Sequence, residues 1–342
     1  MTVKHQISNR ASLNDQHFQV LMESGQYPLS DKPYFLEYKN GIYTDVIDTK
    51  FDYISSLRMI NDAIFSDFDN DGDKDLIVVG EWMPITFYEN KENKFYLKEI
   101  PGITNLSGWF QSIKAADLDK DGDIDYIIGN WGKNNKFHPT KGKPLHIYAD
   151  YFDNNTSFDI ALSKVSKTGD LLPVRGKECS TQQTPFLGTK VKTYKEFALS
   201  TMPEIYGLEK LKKAHQFVTH SFASIILKNK GNSKFEIQEL PNETQFSPTL
   251  GIEVTDINID GILDIYGVGN IYDAEIETIK YDASKGYILL GNKNGSYNSI
   301  KDNGYFNNNE AKTIKQIRIN NEMHFIILNK KEKLTLIKVK KL

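Results

Sequence analysis

Three stretches of the chain repeat one order of apolar and polar positions. They are Ile64-Phe-Ser-Asp-Phe-Asp-Asn-Asp-Gly-Asp-Lys-Asp-Leu-Ile-Val-Val-Gly80, Lys114-Ala-Ala-Asp-Leu-Asp-Lys-Asp-Gly-Asp-Ile-Asp-Tyr-Ile-Ile-Gly129 and Glu253-Val-Thr-Asp-Ile-Asn-Ile-Asp-Gly-Ile-Leu-Asp-Ile-Tyr-Gly-Val-Gly269. Each passes from an apolar lead-in through an acidic loop with one glycine into an apolar, β-rich run and a closing glycine. The loops begin at Asp67, Asp117 and Asp256, so the first two lie 50 residues apart and the third 139 further on. That long gap fits about three repeats of ~46 residues, near the ~40–50 residues of a propeller blade. The expected fold is therefore all-β, a β-propeller of about 5–7 blades, the upper figure shrinking with any insert.

Between the loops the pattern continues as strands. Ile85 to Leu97, Ala223 to Ile237 and Tyr287 to Tyr297 each resemble a hairpin around a polar turn, and Thr313 to Lys340 supplies three short alternating strands. The runs Tyr34-Phe-Leu-Glu-Tyr and Ile42-Tyr-Thr-Asp-Val are expected to complete the blade that the tail begins, closing the ring. Residues 192–217 break the alternation. Pro203 suits a first helical turn, and Ile205, Leu208, Leu211 and His215 recur at helical spacing opposite a lysine-rich face, which predicts one or two inserted helices. Such an insert either packs on the side of the sheets or covers a site. The expected organisation is an N-terminal extension over 1–32 and a propeller over 33–342.

Composition narrows the function classes. Hydrophobic residues make up 39% and aromatics 12%, enough for a packed core, and the net charge of -3 gives no general reason to expect nucleic acid as a partner. No apolar run reaches the length of a transmembrane helix. The single Cys179 precludes an intrachain disulfide. Charge is nevertheless uneven: residues 62–75 hold six Asp against one Lys, and residues 310–342 hold nine Lys or Arg against three Glu. The basic tail reads as a solvated strand face. Packed carboxylates, by contrast, repel unless a cation lies among them.

The shared loop is Asp-x-[Asp/Asn]-x-Asp-Gly-x-x-Asp. Calcium takes 6–8 oxygen ligands in flexible geometry. Carboxylates at positions 1, 3 and 5 converge if the chain turns sharply, which glycine at position 6 permits. Position 7 contributes a backbone carbonyl and position 9 another carboxylate. The predicted calcium ligands are thus Asp67, Asp69, Asp71, Asp73 and Asp75; Asp117, Asp119, Asp121, Asp123 and Asp125; and Asp256, Asn258, Asp260, Ile262 and Asp264. An EF-hand needs a bidentate Glu at position 12, where this chain has Val78, Ile128 and Gly267, and the residues that follow each loop are strand formers. Asp, Asn and Gly also build ordinary polar turns. Three loops with the same ligand positions and the same following strand favour metal over that reading. A fourth, degenerate candidate is Asp150, Asp153, Asn155 and Asp159, with one extra residue and no glycine.

These repeats resemble the FG-GAP/VCBS family, which implies β-propellers with cation-binding loops, as in integrin α-subunit heads and cartilage-acidic-protein-like proteins. Gly80-Glu-Trp-Met-Pro84, Gly129-Asn-Trp131, Val174-Arg-Gly-Lys-Glu-Cys-Ser180, Gln182-Gln183 and Tyr281-Asp-Ala-Ser284 are similar to large VCBS-repeat proteins of Gram-negative surfaces. That resemblance implies an extracellular or cell-surface location. The stretch beginning at Met1 has no apolar signal-peptide core, so the expectation is a shortened member or a fragment of a longer surface protein.

Signatures of catalysis are sparse. Cys179, with His215 and His220 downstream, lacks the surroundings of a cysteine hydrolase, and there is no phosphate-binding loop, His-Glu-x-x-His or Gly-x-Ser-x-Gly. Trp82, Trp109 and Trp131 suit a sheet core more often than a glycan-binding face. The expected function is a non-catalytic, calcium-binding scaffold for a protein or glycan ligand. The alternative is a propeller enzyme, a hydrolase or lyase acting on polysaccharide through the insert and central channel.

Overall fold

A computed structural model describes residues 27–30, 32–53, 58–153, 157–274, 280–301, 304 and 306–339. Asn40 and Gly41 both take positive φ, 50° and 83°, and form the two-residue turn that joins β1 (Leu36–Lys39) to β2 (Ile42–Asp45). A short helix, α1 (Ile47–Lys50), follows. The first sheet is an antiparallel meander of β3 (Met59–Ser66), β4 (Asp75–Pro84), β5 (Thr86–Lys91) and β6 (Lys94–Lys98), with β7 (Ser107–Trp109) added to the far end of β4. The second sheet opens with β8 (Ser112–Ala116) and β9 (Asp125–Gly129).

The chain then leaves the second sheet. It forms an inserted sheet of β10 (Leu145–Asp150), β11 (Asp159–Val165) and β12 (Leu171–Pro173). Five short helices come next: α2 (Lys177–Gln183), α3 (Phe186–Lys190), α4 (Tyr194–Leu199), α5 (Met202–Tyr206) and α6 (Leu208–Lys213). The strand β13 (His215–Thr219) then returns to pair with β10. Only after this do β14 (Ile225–Asn229) and β15 (Phe235–Glu239) complete the second sheet, with Ile225 opposite Ile128. The third sheet is β16 (Thr249–Thr255), β17 (Asp264–Gly269), β18 (Tyr287–Gly291) and β19 (Tyr297–Ser299). The fourth is β20 (Ala311–Ile319), β21 (Glu322–Asn329) and β22 (Thr335–Lys338).

The all-β expectation holds, and the three hairpins and the tail strands lie where the alternation placed them. Three expectations need correction. The 139-residue gap is not three repeats in series, because it holds the excursion at 130–224, with one inserted sheet and the helices, plus the second half of the second sheet. Helices begin at Lys177 rather than near 192, and His215 is in a strand. The early helices were hard to see because little of them is buried: Ser180 in α2 and Leu187 in α3. Finally, the N-terminal runs do not pair with the tail. β1 and β2 pair with each other, and no ladder joins the first sheet to the fourth among the described residues. Local aromatic packing wins there. Phe35 and Phe51 lie 5.3 and 4.9 Å from the Phe95 ring, Phe51 forms a parallel bridge to Phe95, and the segment covers the β6 edge.

Successive first strands lie side by side, β3 beside β8, β8 beside β16 and β16 beside β20. The strands that follow the acidic loops, β4, β9 and β17, are covered on both faces, so their apolar runs are nearly continuous. On β9, Tyr126 and Ile128 face the first sheet, among Ile77, Val79 and Phe87, whereas Ile127 faces the third, against Ile252, Ile265 and Leu289. On β17, Tyr266 and Val268 turn instead to Ile314, Phe325 and Ile327 of the fourth sheet. Such close stacking leaves no room for a side chain at Gly129, where a Cβ would lie 2.4 Å from the Thr249 carbonyl oxygen. Trp82, Trp109 and Trp131 are 3%, 0% and 1% exposed and pack edge to face in a row, so they are core residues. The helices pack through Leu187, Phe197, Met202, Ile205 and Leu211 against Tyr148, Phe152 and Ala161 of the inserted sheet. Among the described residues no helix is long and apolar enough to cross a membrane.

Candidate metal centres in the acidic loops

Each of the three acidic loops joins the first strand of a sheet to its second: β3 to β4, β8 to β9 and β16 to β17. Their backbones repeat one conformation. Position 4 is left-handed in all three, with φ of 61° at Asn70, 63° at Lys120 and 62° at Ile259, and so are the position-6 glycines Gly72, Gly122 and Gly261. A β-branched isoleucine is rarely found there, so the loop must be held by its other contacts. Position 1 holds it by accepting amide hydrogen bonds. Asp67 accepts from Asp71 N and Gly72 N at 3.2 and 3.0 Å, Asp256 from Asp260 N and Gly261 N at 3.1 and 2.8 Å, and Asp117 from Gly122 N at 3.2 Å. Position 5 accepts from the amide of position 7, at 2.9, 2.9 and 2.8 Å for Asp71, Asp121 and Asp260.

These bonds turn the carboxylates inward. One oxygen from each of Asp67, Asp69 and Asp71 lies within 4.8 Å of the others, and Asp117, Asp119 and Asp121 converge likewise. Buried oxygens of Asp69 and Asp117 have no hydrogen-bond partner. Burial, then the charges of Asp71, Glu89 and Asp67, push the Asp69 carboxyl above its ordinary range. An oxygen-rich loop with orphaned carboxylate oxygens fits a hard divalent cation such as calcium. The third loop is less demanding. Asn258 stands at position 3 and donates its side-chain amide to Asp260 at 2.9 Å, which satisfies internally what the other loops leave open.

Both oxygens of the position-9 carboxylate accept backbone amides of the fold. Asp75 is buried and accepts from Phe68 N at 3.1 Å and from Asn90 N, on β5, at 2.8 Å. Asp125 does the same with Leu118 N and with Asn229 N on β14, at 3.1 and 2.8 Å. Asp264 accepts from Ile257 N and Gly291 N at 2.8 and 2.9 Å. Each carboxylate therefore ties its loop to the third strand of its own sheet, and Asp125 does so across the whole 130–224 excursion. Burial pushes Asp75 and Asp125 up to about 6, against the lowering effect of these amide bonds. The position-7 side chains differ: Asp73 is exposed, Asp123 accepts from the Asn70 side chain of the neighbouring loop, and Ile262 carries no donor oxygen on its side chain.

The degenerate fourth loop has a different register from the one expected. Asp159 accepts from Phe152 N at 3.3 Å, seven residues back, as Asp75 does from Phe68. Phe152 thus occupies position 2, and position 1 is Tyr151 rather than Asp150. There is no extra residue; instead the position-1 carboxylate is missing. Asp150 accepts from the amide of Tyr151, Asp153 falls at position 3, and Asn155 lies outside the described residues. Burial, then the charge of Asp153, push Asp159 up to about 7.

Several contacts around the loops were not legible in the sequence. Lys230, on the β14–β15 turn, places its ammonium 3.6 Å from Asp119, and Asn70 bridges the first loop to the second. The motif itself specifies neither contact, since both depend on how the sheets stack. Around the cysteine and histidines singled out above, His220 faces the Ser107 hydroxyl at 2.7 Å, Cys179 is half-buried on α2, and Arg175 donates to Gln183 at 3.2 Å.

Comparison with known proteins matches residues 67–128 to the FG-GAP-like repeat family. No curated protein matches the chain. Among solved structures, an Agrocybe aegerita lectin described as recognising non-reducing terminal N-acetylglucosamine is 12% identical. That match covers 82% of this chain and 81% of the lectin, with a TM-score of 0.19. The V. cholerae biofilm matrix protein Bap1 is 9% identical over 80% of this chain and 60% of its own, with a TM-score of 0.27. The first two acidic loops, with the strands between them, thus make up an FG-GAP-like repeat.

Proposed function

We propose that this chain is a non-catalytic binding module of the propeller type, stabilised by calcium and displayed outside the cell to a protein or glycan ligand. The observation that carries this reading is the convergence of carboxylates in the loops at Asp67 and Asp117, each with a buried oxygen that lacks a hydrogen-bond partner. A cation there neutralises the mutual repulsion of three acids and stiffens the turn between two central strands. The Asp256 loop, with Asn258, takes the ion more weakly. Beyond the loops the molecule is mainly a series of stacked antiparallel sheets, which suits a scaffold that presents surfaces.

Calcium modules of extracellular proteins bind with dissociation constants of ~0.1–1 mM. At ~1 mM calcium and the tight end of that range, each site adds about 1.4 kcal/mol by mass action. Titration calorimetry with calcium, then magnesium, tests the reading. Saturable calcium binding at two or more sites is expected, with magnesium much weaker because its small octahedral shell fits such a loop poorly. Heat indistinguishable from dilution at millimolar calcium would refute it. Turnover in a polysaccharide panel that one buried carboxylate substitution abolishes would refute the non-catalytic part.

A further inference from the structure

The acidic loops occupy one end of the sheets. At the opposite end, where second strands finish and third strands begin, lies a cleft of about 660 Å³ that none of the loop chemistry uses. Its walls come from three places: the 3-10 turn Asn242–Gln245 with Phe246, the lead into β18 at residues 283–287, and Ser299, Lys301 and Phe306 at and beyond the end of β19. Phe246 and Phe306 reach it while 44% and 60% exposed, an unusual state for two phenylalanines on one cleft. The Lys285 ammonium lies 4.8 Å over the Phe306 ring, and Lys301 stands on the same wall. Neither lysine has an ion-pair partner among the described residues.

The walls are anchored. Ser284 N donates to the Asn270 side chain at 3.1 Å, Asn270 donates back to Ser284 O at 2.7 Å, and Gly286 N donates to Ser284 Oγ at 3.1 Å. Asn307 N donates to Lys285 O at 3.1 Å, which fixes the two walls to each other beside Phe306. Such preorganisation lowers the ordering cost of a ligand.

We propose that this cleft binds an acidic saccharide, one or two rings carrying a carboxylate. Exposed phenyl faces take the apolar C–H face of a sugar ring, as amphipathic ligands require. Lys285 and Lys301 take the carboxylate, and Glu243 and Ser299 take hydroxyl groups. Two lysines against one glutamate leave a single positive charge in the lining, which suits one carboxylate; a polyphosphate would set its further charges against Glu243. The volume lies within the ~300–1,000 Å³ of small-ligand sites, whereas a protein partner needs ~800 Å² of surface per side. This inference names the ligand class within the binding-module reading, but it does not depend on calcium occupancy.

The test compares cellobiouronic acid with cellobiose, which differ by one carboxylate, by calorimetry and chemical-shift titration on the full chain. The acidic disaccharide is expected to bind about tenfold tighter, one charge-assisted contact being worth that factor. Lys301→Gln should erase the preference, and Phe306→Ala should weaken both sugars about tenfold. Both positions are exposed, so unchanged circular dichroism and melting serve as the folding control. Equal affinity for the two sugars, no binding up to about 10 mM, or binding that both variants leave untouched would overturn the proposal. So would a protein ligand that docks here while no sugar binds. Sugar binding that survives when calorimetry detects no calcium would sink the calcium reading alone.

Discussion

Replacing Gly129 by alanine isolates the packing that aligns the second and third sheets. Gly129 ends β9 and is fully buried, and an added Cβ would lie 2.4 Å from Thr249 O, 2.3 Å from Ser112 Oγ and 2.9 Å from Thr249 Cγ2. The serine can rotate, although it would then lose its 2.8 Å bond to Thr249 O. The Thr249 carbonyl cannot, because it belongs to the first residue of β16, whose amide in turn donates to Asn130 O at 3.0 Å. Relief therefore requires β16 to move away by about 1 Å, which opens gaps among Ile127, Ile252 and Ile265. Overpacking of this kind costs ~1–3 kcal/mol, and the lost hydrogen bond adds about 1 kcal/mol. We expect about 3 kcal/mol in urea denaturation and, at ~2–4 °C per kcal/mol, melting lowered by roughly 6–12 °C. Gly142→Ala is the control, since its Cβ would meet nothing within 4 Å. A Gly129→Ala protein that melts within about 1 °C of Gly142→Ala would refute the close stacking of β9 on β16.

Asp125→Ala removes the acceptor of two amides, Leu118 N and Asn229 N, and should cost about 2–4 kcal/mol even in chelator, measured by the same denaturation. Asp121→Ala should remove one calorimetric calcium site and leave the loop at Asp67 working, whereas a full complement of sites in the variant would exclude Asp121 as a ligand. Lys230→Met withdraws a positive charge 3.6 Å from Asp119 and should tighten calcium binding at the second loop about threefold to tenfold; unchanged affinity would place the ion elsewhere. Burial holds His146 and His220 below the ordinary imidazole range, so the folded state binds fewer protons than the unfolded chain. Their contribution is present above the unfolded value of ~6.5 and is lost as pH falls below it. The melting difference between wild type and His220→Gln should therefore change between about pH 7.5 and about pH 5.5, and a constant difference would count against it.

Some of this architecture is local, and the sequence alone determines it. Asp at positions 1 and 5 bonds amides within a few residues of itself, and Gly72, Gly122 and Gly261 supply the left-handed turn, so each loop is specified by its own residues. The apolar runs after the loops mark strands covered on both faces, and two-residue turns such as Asn40-Gly41 and Asn320-Asn321 mark hairpins. The tertiary structure decided everything that depends on distant partners. Position 9 looks in the sequence like another ligand, and only the tertiary structure shows that its carboxylate also bonds the third strand of its sheet, which for Asp125 means Asn229 across the excursion at 130–224. The excursion itself could not be told from repeats in series, because spacing counts residues and not the ladders they join. The true register of the fourth loop appeared only when Phe152 N was found on Asp159. Phe35, Phe51 and Phe95 chose a local aromatic cluster over a ladder with the tail, since nearby rings bury area at less loop-closure cost than a strand from the far end. The cleft at Phe246 and Phe306 lies outside every motif because separate loops build it: the pairing of β18 with β19 brings Lys285 to Phe306, and only the tertiary structure sets Phe246 on the same cleft.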